Sequence, residues 1–527
     1  MPTPTKKAAK ADPPSVTVSG TPLKLKDPAV SALADGPRLE TATDEHGGYV
    51  TRVSPPGTPV AGRTTEAATK RPGRVRANSF KARASLFDWE TLEETKNPMR
   101  GFFTLFWMTM SAYLTAILYY NWKNSGVLIG GNLFMHLFTQ GSELLYSEIV
   151  LILSLFAVVL IEKFFIAAET AFIKGWVPPR IILLIQHIYQ TTWFAVCIGW
   201  VYTRDGWSWT QSGAFTLHSI AMLMKQHSYM SYNNEMLFKH TRVQKYKARM
   251  DQLAGEMKKL SDDAPELTQY NAEWELCKDK AKHTQVELSK GSTTFPENVT
   301  FANFADYLLV PSLVYELEYP RTSSIRPWYL FEKTVGTIGI IMILYVTIEH
   351  FIYPVLENMQ DLNFLEMLAH LLLPFMVMYV LLFHVIFECI CNWFAEITRF
   401  ADRQFYDDWW NSVTFDEYAR KWNKPVHEFL LRHVYLESIS QYKLSKHSAT
   451  FLTFFLSSCL HELVMIVLAK KVRMYLFVLQ MLQIPLILIS RWSKLKRYPR
   501  FGNAFFWFSM YLGPPLLAVA YCREVYH

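Results

Sequence analysis

Residues 450–468 read TFLTFFLSSCLHELVMIVL, an apolar stretch with His461 and Glu462 near its centre. An ionisable side chain at bilayer depth costs roughly 2.5 kcal/mol or more, so it faces a cavity or a partner. Thr450, Thr453, Ser457 and His461 fall on one helical stripe, opposite apolar residues. That pattern describes a helix with a lipid face and a polar, reactive face. A neutral imidazole there can act as a general base. The competing reading is a buried His that hydrogen-bonds a neighbouring helix.

A second constellation precedes this helix. Phe405, Tyr406, Asp407, Asp408, Trp409, Trp410 and Asn411 interleave aromatics with two carboxylates and an amide. Arg420, Trp422, Asn423, His427, Tyr435, Lys443 and Lys446 follow. Interfacial anchoring accounts for Trp409 and Trp410 individually. It does not account for the carboxylates and amides between them. Cations with aromatics suit a nucleotide-bearing thioester such as acyl-CoA, whose phosphates pair with Arg and Lys and whose adenine stacks.

Other chemistries lose ground. There is no GxxxxGK[ST], no GxSxG, and no HxxxxD at any of the 15 histidines. His461-Glu462 begins like a zinc HExxH, but position 465 is Met. The six cysteines, at 197, 277, 389, 391, 459 and 522, have no zinc or disulfide spacing, and Cys389 with Cys391 makes only a weak C-x-C. No metal and no cofactor are expected, with acyl-CoA a co-substrate, and no nucleic-acid partner. Asn298-Val299-Thr300 is a glycosylation sequon by pattern only, because the expected topology places it in the cytosol.

The elements that must position these residues are read from the apolar blocks. Nine spans are expected, at about 100–121, 147–167, 181–202, 211–231, 331–356, 364–388, 447–469, 473–490 and 504–522. Lys and Arg concentrate in the tail, the 162–180, 232–330 and 389–446 loops and the Arg491–Arg500 run, which puts all of them, and the N-terminus, in the cytosol. Lys470, Lys471 and Arg473 are the exception on the luminal side. Residues 235–290 read as one or two exposed helices. Residues 1–97 form a disordered cytosolic tail by composition, and 98–527 a membrane domain. Six basic residues from Lys70 to Arg83 suit anionic headgroups or a solvated tail, and Ser79 behind Arg74 and Arg76 suits phosphorylation. No inverted pair of Gly/Pro-broken helices supports a secondary transporter.

The FYDDWWN run resembles the signature of the sterol and diacylglycerol branch of the membrane-bound O-acyltransferases. Met224 to Tyr229 (MKQHSY), Glu318 to Arg326 with its YPRT core, and Ser457 to Leu463 (SSCLHEL) resemble stretches of the sterol branch, the last in the form seen in fungal steryl ester synthases. The resemblance covers about residues 98–527. It implies an all-α fold of nine membrane helices around a buried reaction chamber, an endoplasmic-reticulum location, and a homodimer, sometimes a homotetramer. It further implies His461 as the catalytic His with Asn423, and Arg420, Tyr435, Lys446 and Ser457 along the acyl-CoA path. The reaction expected is transfer of a long-chain acyl group from acyl-CoA to the 3β-hydroxyl of ergosterol or a related sterol, for storage in lipid droplets. The alternatives are a diacylglycerol acyltransferase and, from another class, a non-catalytic sterol transporter or sensor. His227, at the cytosolic end of the fourth expected span, reads first as structural.

Overall fold

Capping residues set where the long helices begin. Ser208 and Gln211 form a reciprocal capping box at the start of Trp209–Met257, and Asn363 with Glu366 does the same for Phe364–Phe383. Ser445 caps Lys446–Ala469 by accepting the Ser448 N–H at 3.1 Å. The computed structural model describes residues 38–43, 49–54, 80–87, 100–128, 140–173, 178–260, 265–490 and 498–525. They fall into two units, Met1–Arg71 and Pro72–His527.

The first unit holds an antiparallel hairpin, Arg38–Thr43 against Tyr49–Ser54, with Arg38 opposite Ser54 and Thr43 opposite Tyr49. A tail without structure was expected there; Tyr49, Val50, Thr51 and Val53 have the composition of a strand. Ser79 and the basic residues 70–76 lie outside the described residues.

The second unit is helical apart from a two-residue ribbon at 289–294 and isolated bridges. Among the described residues, six helices are long and apolar enough to cross a bilayer: Gly141–Ala167, Arg180–Tyr202, Pro327–Glu357, Phe364–Ile397, Lys446–Ala469 and Pro499–Cys522. Leu145, Leu153, Leu160 and Phe164 are exposed on the first of these, while Leu151, Leu155, Val158 and Val159 are buried. A wide outward apolar face of this kind suits lipid.

Among the described residues these six do not confirm the expected count of nine. The 100–121 region is helical, as Arg100–Ser125, but is not among the six. The expected fourth span opens a continuous helix, Trp209–Met257, of 49 residues. Its buried side includes Gln211, Thr216, Lys225, Gln226, Ser228, Asn233 and Asn234, which is a protein-facing surface and not a lipid-facing one. It also absorbs the first of the exposed helices expected after residue 235. Pro265–Val286 folds back on it, and Arg249 bridges to Glu273 at 2.9 Å. The expected 473–490 span is broken into Tyr475–Met481 and Gln483–Ser490.

Wider π turns interrupt three helices at Ile348–Ile352, His384–Ile390 and Leu430–Leu436. Such turns re-aim side chains and recur at functional sites. The last one turns Arg432 inward, onto buried Glu316 at 2.7 Å. The YPRT stretch is a clamp: Pro320 O accepts the Ala401 N–H at 2.9 Å, and the Thr322 N–H reaches Arg399 O at 2.7 Å. Arg326 pairs with Glu396 at 2.9 Å beside it. The clamp fixes the chain just before residues 405–411.

Residues 80–87, assigned to the tail by composition, are docked on this same chain segment. Arg83 makes a two-pronged contact with Asp402, Nε to Oδ1 at 2.8 Å and Nη2 to Oδ2 at 2.7 Å. The Arg403 N–H donates to Arg83 O at 2.8 Å, and Phe87 stacks near Tyr406 and Trp410. Ser85 is buried against Glu388. The composition of 80–87 is that of the preceding tail, so only its partners reveal it as part of the folded unit.

Candidate active site

His461 sits midway along Lys446–Ala469. Its Nδ1 lies 2.8 Å from Ser457 O, one turn earlier. A carbonyl oxygen only accepts, so Nδ1 carries a proton, and in the neutral imidazole the lone pair is on Nε2. The backbone thus selects the tautomer in which the outer nitrogen is the base. The side chain is exposed, and Ser457 beside it is half-buried. Ser457 therefore supplies its carbonyl to the base and leaves its hydroxyl on the same stripe.

Glu462 points the other way and is 1% exposed. Its carboxylate accepts the Met474 N–H at 2.7 Å, the Phe477 N–H at 3.0 Å and the Tyr521 hydroxyl at 2.9 Å. Lys470 and Met474 both take left-handed backbone angles, φ 52° and 62°, which non-glycine residues rarely hold. Glu462 caps that turn from below and ties the His461 helix to the last helix. The apparent His-Glu pair is one reactive side chain and one brace.

The signature residues form a brace of a different kind. Phe405, Tyr406 and Trp409 are buried, Trp410 is half-buried, and Asn411 is exposed. Trp409 packs on Phe383 at 5.1 Å, Trp422 at 4.9 Å and Trp507 at 5.7 Å between ring centres. Trp410 O accepts from Asn503 Nδ2 at 3.0 Å and from Trp507 Nε1 at 3.1 Å, both on the last helix. The Tyr406 hydroxyl donates to buried Glu388. The Asp407 N–H reaches Lys421 O at 2.9 Å, and the Lys424 N–H reaches Phe405 O at 3.0 Å. Asp407 and Asp408 pair with Lys424 at 3.4 Å and Lys421 at 2.9 Å. The Lys421 ammonium holds the Asp408 carboxyl below its ordinary range. These residues thus hold 421–424 in place.

Asn423 is the residue that this arrangement positions. It caps Lys424–Phe429, its Oδ1 accepting the Val426 N–H at 3.1 Å. Committing the amide oxygen leaves Nδ2 as a donor. Among the described residues Asn423 and His461 are not hydrogen-bonded to each other. Arg420 is exposed on Phe415–Lys421 and paired with Asp416. Tyr435 is half-buried in the π turn, and Lys446 is exposed as the first residue of the His461 helix. Fifteen residues of helix separate Lys446 from His461, about 22 Å along the axis. Neighbouring His427 stays neutral, its imidazole pushed down to about 4 by burial and then by Arg420.

Among the described residues, two cavities of this unit bear on the site. One, about 200 Å³, is lined by Asn303, Asp306, Tyr315, Glu316, Glu318 and Arg321 among others. A smaller one lies between Phe80, Arg83, Asp402, Lys424 and Glu428. Neither is lined by His461.

One grouping was not visible in the sequence. His227 meets His433 at 5.3 Å between ring centres, next to Glu437. MKQHSY marked His227 alone, and its partners come from a distant segment with no fixed spacing.

The profile of the membrane-bound O-acyltransferase family matches residues 99–523. The chain is similar to probable sterol O-acyltransferase 1 of Schizosaccharomyces pombe, 35% identical over 469 residues, covering 84% of this chain and 85% of the relative. It is 36% identical over 436 residues to probable sterol O-acyltransferase 2 of the same yeast, covering 80% and 86%. Diacylglycerol O-acyltransferase 1C of Glycine max is 33% identical over a shorter 239 residues, 44% of this chain and 46% of that one.

Proposed function

This chain belongs to the membrane-bound O-acyltransferase family, a multi-pass membrane enzyme, and we propose that it transfers a long-chain acyl group from acyl-CoA to the 3β-hydroxyl of a sterol. The observation that carries the chemistry is the Nδ1 contact with Ser457 O, which makes Nε2 the nitrogen open to act as base in the neutral imidazole, on the polar stripe of an apolar helix. The acceptor reading rests on the two yeast relatives, whose similarity extends over most of both chains, against less than half for the diacylglycerol relative.

The sterol hydroxyl is a poor nucleophile. His461 Nε2 takes its proton as the oxygen attacks the thioester carbonyl, a contribution of about 10²–10⁴-fold. The Asn423 Nδ2 donates toward the developing oxyanion, a contact worth roughly 3–4 kcal/mol. The carbon–sulfur bond then breaks, and the imidazolium returns its proton to the CoA thiolate. Steryl ester and CoA leave, and no acyl-enzyme is required. Arg420, Tyr435, Lys446 and Ser457 line the acyl-CoA path in this reading. The enzyme works as a homodimer, or a pair of them, in the endoplasmic-reticulum membrane with its N-terminus in the cytosol, and its product is stored in lipid droplets.

Purified protein is given labelled oleoyl-CoA with ergosterol, cholesterol or diacylglycerol in parallel. Sterol ester formation that vanishes in His461→Ala and His461→Gln, at unchanged protein level and oligomeric state, is the expected result. Diacylglycerol outcompeting every sterol rejects the acceptor. Wild-type turnover in His461→Ala rejects the mechanism.

A further inference from the structure

Three donor atoms from two distant parts of the chain converge beside the interior of the long helix, Trp209–Met257. His227 Nε2 and His433 Nδ1 each lie 3.9 Å from the same carboxylate oxygen, Oε2 of Glu437. All three atoms lie within 4.8 Å of one another. A separation of 3.9 Å is too long for a hydrogen bond. It is also too short to be indifferent, with side chains only 19%, 2% and 14% exposed.

The other polar atom of each group already has a partner. His227 Nδ1 donates to Gln190 Oε1 at 3.1 Å, so its Nε2 lone pair faces Glu437. His433 Nε2 lies 2.8 Å from Ser228 Oγ. That hydroxyl accepts the Tyr315 N–H at 2.8 Å and has a second lone pair that can take an N–H from His433. In that tautomer the Nδ1 lone pair of His433 faces Glu437. Glu437 Oε1 accepts from Gln441 Nε2 at 2.8 Å, which leaves Oε2 for the centre. Outer partners of this kind fix the tautomer and orientation of metal-bound imidazoles.

We propose that His227, His433 and Glu437 form a divalent transition-metal site, of the class that takes zinc. Two imidazoles and a carboxylate suit such an ion and do not suit magnesium or calcium, which prefer all-oxygen shells. Zinc bonds of about 2.0–2.1 Å place tetrahedral donors about 3.3 Å apart, so the two imidazoles and Glu437 draw together when the ion binds. The fourth position opens where His227 and Glu437 are part-exposed, and water or a small anion fills it. The ion joins Trp209–Met257 to the turn that carries Tyr435. The site goes beyond the acyl-transfer reading and stands without it.

The test uses the full chain, purified in detergent with any affinity tag removed. Zinc is measured by elemental analysis as purified, then after chelation and titration with Zn²⁺ or Co²⁺ alone. Uptake of about one ion per chain is expected, with a visible cobalt band typical of few-coordinate nitrogen and oxygen ligands. Glu437→Gln and His227→Ala should weaken uptake by at least about tenfold, while His187→Ala, whose ring stacks on His227 at 6.1 Å, keeps it. Size-exclusion elution establishes that each variant is folded; if His227→Ala is not, Glu437→Gln decides. Failure of folded wild-type protein to take up either ion, or full uptake in Glu437→Gln, overturns the site.

Discussion

Tyr521 donates its hydroxyl to Glu462 at 2.9 Å, which links the last helix to the residue beside the proposed base. The same carboxylate caps the turn at Met474 and Phe477. Glu462→Ala removes three hydrogen bonds to a buried charge and leaves two backbone N–H groups without their acceptor. A loss of about 3 kcal/mol or more follows, because charged hydrogen bonds are worth roughly 1.5–3 kcal/mol each. Thermal unfolding followed by size-exclusion should show it as a lower midpoint and a lower yield. Glu462→Gln keeps an acceptor and should fall between. A Glu462→Ala protein of normal stability with abolished turnover would instead make Glu462 a participant in the chemistry.

Arg83 and Asp402 hold residues 80–87 on the chain that leads into the signature loop. The Arg83 side chain is 38% exposed and Asp402 is 4% exposed, so solvent limits the worth of the pair. A loss on the order of 1–2 kcal/mol is expected for Arg83→Ala. A double-mutant cycle with Asp402→Asn should give a coupling energy of the same sign. Additive losses would mean that the two residues act independently and that the strap is held by its aromatic contacts alone.

Glu428 faces Arg83, Asp402, Asp407 and Lys424 around the small cavity. Burial pushes its carboxyl up from 4.5 to about 7, with Lys424 and Arg83 only partly opposing. The folded protein then holds a proton that the unfolded chain has already lost, so stability falls as pH rises from about 4.5 to about 7 and levels off beyond. Unfolding midpoints measured between pH 5 and 8 should decline for the wild type. Glu428→Gln cannot ionise, and its profile should be flatter and higher at the alkaline end. Parallel profiles for the two proteins would reject this origin.

How far the residues themselves disclose this structure depends on the range of the interaction. Ser457 and His461 are one turn apart, so the polar stripe was legible, and so was a helix over 447–469. The spans over 181–202 and 364–388 were legible from apolar length alone. The fourth expected span opens a longer, largely buried helix: Met222, Met224 and Tyr229 raise its hydropathy, while Asn234 donates to Gln186 at 2.7 Å and Asn233 accepts from Asn298 at 2.8 Å, contacts that no local pattern shows. The last-but-one span falls into two short helices, Tyr475–Met481 and Gln483–Ser490, and the turn before them, with left-handed Lys470 and Met474, is held partly by Glu462, a contact that no local pattern shows. Within the candidate site, Asn423 as a helix cap follows from Lys424-Pro425 behind it, since Pro favours the first turn. The meeting of His227 with His433 and Glu437 depends wholly on tertiary packing, and no local pattern announces it.

The cations at Arg420 and Lys446 give the last prediction. CoA is polar and anionic and enters from water, whereas a sterol and an acyl chain enter from lipid. Lys446 stands exposed at the N-terminus of the His461 helix, where the helix dipole adds to its positive field. Arg420 is exposed but already paired with Asp416, so a phosphate must compete with that carboxylate. Lys446→Ala and Arg420→Ala should therefore raise the KM for oleoyl-CoA several-fold, by about 1 kcal/mol each at an exposed site, with the sterol KM unchanged. Asp416→Asn should act in the opposite direction, because it frees the guanidinium and removes a negative charge from the path of the phosphates. Added salt should shrink the wild-type advantage over both Ala variants, since exposed charges are screened within about 8–10 Å. The separate KM values for oleoyl-CoA and sterol in the three variants decide the matter. A selective rise in the sterol KM would remove this surface from the acyl-CoA path, and an Asp416→Asn protein with weakened oleoyl-CoA use would show that Arg420 serves its own helix and not the substrate.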